Sequence, residues 1–370
     1  MSDPATIDED AIFPFPTFAT SRPDSRKKRF PQCIAHRGYK AHHAENTLGA
    51  FRAAIAIGAH ALETDLQITK DDVVVLSHDA TLKRCFNLPD KIADLTWREL
   101  QHLTTRQHPH DPLPRLSDLL TLLAEPANAH IWLLLDIKIS NEPERIMRLL
   151  AATFAFVPNT ITPIAQPDWS TRTLLGIWAA KYLPPALSHL PTYPVTHIGF
   201  ALSYARHFFN LPHVSFNLFL PMLIAPGGRN FIHEAREVHS RPVMAWTVNE
   251  ADAMAWSVRR GLDGVVTDEP GRFLRTCADW GQGRRVGVEG DGEGEDGGWG
   301  FLPVSAGRYW RCLRVWLWFS VLRFWSLKGL GVVASRELVG RSRGGKEGSK
   351  DEVSGEQGGV GGRLDGERKL

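Results

Sequence analysis

Cysteine is scarce in this chain of 370 residues: four, at positions 33, 85, 277 and 312, with no C-x-x-C pair among them. That spacing excludes a disulfide-stapled fold and a cysteine-ligated zinc site, and it fits a reducing compartment. Neither a G-x-G-x-x-G nor a P-loop pattern occurs, so no nucleotide cofactor is expected. The formal net charge is only +2, which by itself argues neither for nor against a nucleic-acid partner. No uninterrupted apolar stretch reaches the ~18 residues of a membrane-spanning helix. Even the densest, 309–330, carries Arg311, Arg314, Arg323 and Lys328. Residues 1–30 lack the apolar core of a secretory signal, and their basic run, Arg26-Lys27-Lys28-Arg29, comes at the end rather than the start.

Apolar residues, by contrast, make up 43% of the chain, enough to bury a full core, and 370 residues allow one large domain or two ordinary ones. Chemistry concentrates in residues 33–79. A short apolar run, 33–35, stops at His36-Arg37-Gly38. Residues 46–57 read as an amphipathic helix, with Leu48, Phe51, Ala54 and Ile55 on one face. Residues 61–66 alternate as a strand does, so Glu63 and Asp65 point to the same side. A second apolar run, 73–76, ends at Ser77-His78-Asp79. Carboxylates at i and i+2 with histidines at neighbouring strand ends predict a hard-cation site with acid/base groups around it. Alone, an E-x-D pair or either histidine is more often a solvated strand or an ordinary loop residue.

Beyond His78, helical and strand patterns alternate. Helices are expected at 96–103, 116–123 (capped by Ser117 with Asp118), 143–154, 171–182, 229–239, 251–260 and 271–280. Strands are expected at 131–139, 160–165, 195–201, 214–220, 243–248 and 264–267. Residues 131–139 read IWLLLDIKI, with only Asp136 and Lys138 charged, as in a parallel strand covered on both faces. About eight strand–helix repeats over roughly 250 residues suit a (β/α)8 barrel, although periodicity alone does not separate that from a doubly wound sheet. His36, Glu63, Asp65, His78, Asp136, Lys138 and Trp246 all fall near expected strand ends.

The blocks His36-Arg37-Gly38, Glu45-Asn46-Thr47, Glu63-Thr64-Asp65, Thr69-x-Asp71-Asp72 and His78-Asp79, with Leu82 and Arg84 following, resemble the glycerophosphodiester phosphodiesterase family. The likeness continues more thinly to about residue 275. Through HRGYKA, LETDLQIT and LLLDIKISNE the chain is most similar, within that family, to the fungal phosphatidylglycerol-specific phospholipase C branch. It departs at Ala44, where the family usually has proline, and at Asp136, where glutamate is more frequent. The shorter Asp136 arm bears on metal preference and coordination geometry.

The resemblance implies an α/β fold of the (β/α)8 TIM-barrel type over residues 31–280, and one divalent cation, Mg2+ or Ca2+, on Glu63, Asp65 and Asp136. Arg37 would donate to the phosphate. His36 and His78 would divide the proton traffic, with their order left open, while the glycerol 2-hydroxyl attacks to give a cyclic phosphate that water then opens. Glu45 would order the loop beside Arg37 or help bind glycerol. Lys138 would bind substrate or form a buried ion pair with Asp136, and Trp246 would wall the glycerol pocket or pack in the core. The products would be glycerol phosphate and an alcohol, from phosphatidylglycerol or, alternatively, from a soluble diester such as glycerophosphocholine. No nucleic-acid partner is expected.

The remaining segments are expected to be a disordered leader (1–30), a Gly-rich linker (281–300) and a disordered tail (336–370). Between linker and tail, residues 301–335, rich in Trp and Arg, suit contact with a membrane surface. The expected location is intracellular, on the cytoplasmic face of the endoplasmic reticulum, a lipid droplet or a mitochondrion. His42, His43, His102, His108 and His110 read as loop residues.

Overall fold

The computed structural model describes residues 12–24, 26–157 and 169–284. Eight parallel strands form its centre: β1 (Gln32–His36), β2 (Ala61–Ile68), β3 (Trp132–Ile137), β4 (Thr173–Ile177), β5 (Val195–Gly199), β6 (Ser215–Phe219), β7 (Val243–Trp246) and β8 (Gly264–Thr267). Each pairs with the next, and β8 closes on β1 through Val265↔Cys33 and Thr267↔Ala35. The closed sheet with its surrounding helices is a (β/α)8 barrel.

Side chains alternate across the barrel wall. One set, Ile34, Ala61, Trp132, Leu134, Leu174, Met244 and Val266, fills the interior. The other set, including Cys33, Leu62, Leu133, Leu135, Leu175 and Phe216, meets the helices outside. Burying each such leucine contributes roughly 1.5–3 kcal/mol. The first helix, Leu48–Ala56, starts where the Thr47 hydroxyl accepts the Ala50 N–H at 3.2 Å. Helix Leu116–Leu123 is capped differently from expectation: the Asp118 carboxylate accepts the backbone N–H of Arg115 at 2.9 Å, and Ser117 plays no part in the cap.

Three sequence expectations change. Residues 171–182 contain strand β4 rather than a helix, and the strand expected at 160–165 lies outside the described residues. The run Thr-Leu-Leu-Gly-Ile suits either state, and its neighbours decide. A Cβ on Gly176 would come within 2.5 Å of the Ile198 side chain and 2.7 Å of the Leu135 carbonyl, so the glycine lets β4 lie against β3 and β5. Second, Val74–Leu76 is not a barrel strand. It folds back antiparallel on the far end of β2 (Leu66↔Leu76), and the segment after it builds a small core of its own from Val75, Leu82, Ile92, Leu100 and Leu113.

Third, the leader is packed from Phe13 onward, because its apolar residues find partners. Phe13 and Ala19 are fully buried, and the Phe18 ring lies 5.5 Å from that of Trp132. Gln32 donates to the Phe18 and Thr20 carbonyls, and the Ser21 N–H donates to Asp263. This segment covers the N-terminal end of the barrel. The linker beyond residue 284, the 301–335 segment and the tail lie outside the described residues. Among the described residues, no helix is long and apolar enough to cross a membrane.

His197 on β5 points outward, stacked on Phe208 at 4.3 Å, and burial holds its pKa at about 3. The unfolded chain takes a proton near pH ~6.5 whereas the native fold does not. Stability is therefore fully present above that pH and falls as the pH drops from there toward 3, by up to about 1.4 kcal/mol per pH unit from this one group. Urea melts of wild type and His197→Leu at pH 7.5 and 4.5 check this, and the variant should lose less stability between the two.

Candidate active site

The C-terminal ends of the strands carry the chemistry. β1 ends at His36, and the chain then turns through Arg37 (φ +56°) and Gly38 (φ +82°). A Cβ on Gly38 would sit 2.7 Å from Ala50, so the turn can press against the first helix only with glycine there. Arg37 takes the left-handed conformation that non-glycine residues rarely adopt, and its backbone N–H donates to Glu63 at 2.9 Å.

Register brings the acids together. His36 lies opposite Glu63 in the β1–β2 pair, and Asp65 opposite Asp136 in the β2–β3 pair. Ligand atoms of Glu63, Asp65 and Asp136 all lie within 4.8 Å of one another, and all three residues are buried. Lys138 reaches both Asp65 and Asp136 at 2.5 Å, and Arg37 Nε lies 3.0 Å from Asp65. Trp178 donates its indole N–H to Asp136 at 2.7 Å, and Asn46 donates to Asp65 at 2.8 Å.

Three buried carboxylates thus face two cations. Burial would raise Asp65, but Lys138 and Arg37 hold it well below the usual carboxylate range. Glu63 is held well above that range, first by burial and then by the charges of Asp65 and Asp136. Asp136 is raised as well, mainly by burial. The excess acid and the hard oxygen donors fit a divalent cation.

Each histidine is tethered at one nitrogen. His36 Nδ1 lies 2.6 Å from Asp268, which in turn accepts from the Asn249 amide at 2.8 Å. Its Nε2 faces Glu63 at 3.9 Å. Burial lowers the His36 pKa against the opposing hydrogen bond from Asp268, and Asp268 itself sits at about 2, burial being outweighed by His36. His78 stands on the loop after the antiparallel strand, not at the end of a barrel strand, with Nδ1 2.8 Å from Asp79. Arg84 holds Asp79 at 2.7 Å and clasps both oxygens of Glu45, at 2.7 and 2.8 Å. Glu45 also accepts from Arg37 at 2.9 Å. A continuous chain of ion pairs therefore runs from Asp65 through Arg37, Glu45, Arg84 and Asp79 to His78. With both oxygens engaged by guanidiniums, Glu45 orders the loop rather than offering a free carboxylate to glycerol.

Lys138 forms the ion pair with Asp136 and adds Asp65 to it. Trp246 is half-buried: its indole donates to the Asn217 carbonyl at 3.1 Å, and its ring packs on Trp178 and Phe219 at 5.6 and 5.0 Å. Phe200 stands 6.1 Å from Trp178 and is 40% exposed, and Ile139 is 49% exposed. The mouth is therefore two-sided, with acids, Arg37 and His36 on β1, β2, β3 and the end of β8, His78 on its loop beside them, and an aromatic arc on β4 to β7. Sequence reasoning missed Asp268, Asn249 and Trp178 as site residues. Asp268 directly follows β8 and Trp178 directly follows β4, so the rule that barrel chemistry gathers at strand ends points to both once the strands are placed.

The site can hold a phosphate between cations and exchange protons on either side of it. Residues 36–272 match the model of the glycerophosphoryl diester phosphodiesterase family. The chain is 31% identical over 247 residues to a glycerophosphodiester phosphodiesterase of Bacillus altitudinis, covering 65% of this chain and 96% of the relative. It is 46% identical over 76 residues to lysophospholipase D GDPD1 of Rattus norvegicus, 20% of this chain and 24% of that one. It shares its fold with the Oleispira antarctica phosphodiesterase in complex with the product sn-glycerol-3-phosphate, at a TM-score of 0.53 and 19% identity, over 67% and 97% of the two chains. With its family model spanning the barrel from the His36 strand end to the last helix, the chain belongs to the glycerophosphoryl diester phosphodiesterase family.

Proposed function

We propose that this glycerophosphodiester phosphodiesterase acts on phosphatidylglycerol, giving diacylglycerol and glycerol 3-phosphate with the help of one divalent cation. The convergence of Glu63, Asp65 and Asp136 beside Arg37, flanked by two tethered histidines, carries the reading. Those three acids would hold the Mg2+ or Ca2+, which when bound supplies positive charge to the phosphate oxygens. Arg37, oriented by Asp65 and Glu45, offers planar donors to the same phosphate.

Because carboxylates occupy Nδ1 of His36 and of His78, Nε2 is the nitrogen each presents for proton exchange. One imidazole takes the proton of the glycerol 2-hydroxyl as that oxygen bonds to phosphorus. The other protonates the departing alkoxide, and the same pair, reversed, lets water open the cyclic phosphate. Trp178, Phe219 and Trp246 form an apolar wall for the glycerol carbons.

Three features support a lipid substrate. The motif blocks resemble the phosphatidylglycerol-specific branch, and a stretch of 76 residues is 46% identical to a relative named lysophospholipase D. Ile139 and Phe200 expose apolar surface beside the mouth. Residues 301–335 would then hold the enzyme at the cytoplasmic face of a membrane, their arginines favouring anionic headgroups.

The test compares phosphatidylglycerol vesicles with glycerophosphocholine, using the full chain and a chain ending at residue 280. We expect vesicle turnover by the full chain to exceed turnover of the soluble diester by at least about tenfold, or about 1.4 kcal/mol. Truncation should lower only the vesicle rate, by an amount that shrinks as salt rises. A higher rate on glycerophosphocholine, with vesicle binding unchanged by truncation, would replace the lipid reading with the soluble one.

A further inference from the structure

The helix Gly228–His233 continues into the π-helical segment Glu234–Val238, and Arg229, Ile232, His233 and Arg236 recur along it three and four residues apart, lining the same hollow. The neighbouring helix, Ala251–Arg259, ends at Arg260, which faces the same hollow. Together with Glu237 these residues line a cavity of about 210 Å3. It lies toward the N-terminal end of the barrel, since Arg260 shortly precedes the start of β8, while the catalytic mouth is at the C-terminal end.

The charge of this hollow is unbalanced. Three guanidiniums and a histidine meet one carboxylate, that of Glu237. Arg236 is anchored, with Nε 3.4 Å from Asp263 and Nη1 bonded to the Gly261 carbonyl. Asp263 is already occupied by the backbone N–H groups of Ser21 and Val243, each at 3.0 Å. Among the described residues, neither Arg229 nor Arg260 has a carboxylate at ion-pairing distance, and the Arg260 Nε is buried without a hydrogen-bond partner. Burial, and then the nearby charges of Arg229 and Arg259, lower the Arg260 pKa. Like charges brought this close repel one another unless an anion sits among them.

We propose that this hollow is a second phosphate-binding site, separate from the catalytic mouth, which takes the phosphate group of a phosphomonoester on Arg229, Arg236 and Arg260. The planar forks of guanidinium groups match phosphate oxygens in pairs. The space holds such a group with a few waters, since a water claims about 30 Å3 of liquid volume. Glu237 on the rim disfavours uptake of further negative charge. The same chemistry occurs on a soluble phosphomonoester and on a lipid headgroup such as that of phosphatidic acid.

Equilibrium dialysis of the full chain against radiolabelled inorganic phosphate tests the site, with Arg229→Ala/Arg260→Ala for comparison. The double variant should bind one phosphate fewer per chain, or bind that one at least about tenfold more weakly, while hydrolysing a soluble diester at the wild-type rate. If the double variant does not fold, Arg229→Gln at an exposed position should still weaken the same phosphate. Wild-type stoichiometry and affinity in these variants, or an absence of this phosphate from the wild-type chain, overturn the site. Flotation with phosphatidylcholine vesicles containing phosphatidic acid separates the sources. Loss of vesicle binding along with phosphate assigns a lipid headgroup, and loss of phosphate alone assigns a soluble phosphomonoester. Loss of vesicle binding with phosphate binding intact overturns the site in favour of a diffuse basic surface.

Discussion

Replacing either His36 or His78 with alanine is expected to lower kcat by about 10²–10⁴-fold, the range for a positioned general acid or base. The double variant should lose less than the product of the two single losses, since residues acting as one unit lose most of the rate with the first removal. The geometry gives the reason. Asp268 and Asp79 fix the ring nitrogens of His36 and His78, at 2.6 and 2.8 Å, so each side chain offers one nitrogen in a set direction. Asp268→Ala should reduce kcat by less than His36→Ala does, since it loosens the ring without removing it. Steady-state kinetics on a soluble diester, with circular dichroism to verify folding, checks the series. Near wild-type turnover in either histidine variant would remove the paired acid/base mechanism.

A loss of similar size is expected when the divalent cation is removed by exhaustive chelation, with recovery on adding back Mg2+ or Ca2+. Glu63→Gln is the most informative companion variant. It preserves shape at a buried position and leaves the Arg37 backbone N–H an acceptor, while deleting one anionic ligand. It should weaken cation binding, read by calorimetry, and lower activity by at least about 10²-fold at a fixed low metal concentration. Asp65→Ala is a poorer choice, because it strands Arg37 and Lys138 without their shared anion, and breaking a buried pair costs about 3–5 kcal/mol. Undiminished turnover after chelation would rule out the metal-assisted reading.

The acid cluster was legible because strand geometry is local. Carboxylates at i and i+2 share a face whatever the rest of the chain does, and Asp136 falls at the end of an apolar run. The closure of the barrel was not legible from periodicity. Strand β4, with its Thr-Leu-Leu-Gly-Ile run, carries no alternation, and its state is set by contacts across Gly176 that no short window contains. Asp268 was invisible for a related reason: its partner lies 232 residues earlier in the chain, and only the β8–β1 pairing brings them together. The position of His78 followed from its motif, yet its mount, a hairpin off the end of β2 with a separate small core, is a tertiary feature. The packed leader escaped composition because a few buried residues spread along it, among them Phe13, Pro16 and Ala19, tie down a segment that is otherwise polar and proline-rich.

The filled interior of the barrel, with the leader packed beneath it, leaves the site a single doorway. Ala19 and the Trp132 ring, with Phe18 against it and the Trp132 N–H bonded to Gln32 at 2.9 Å, stopper one end. The diester must enter, and both fragments must depart, through the remaining opening. Traffic there is ordered by necessity: the released alcohol shares the exit with the phosphate-bearing fragment, and a lingering fragment obstructs the next arrival. Accumulating product should therefore slow the enzyme by competing with substrate for one entrance, and raising the substrate concentration should relieve the block.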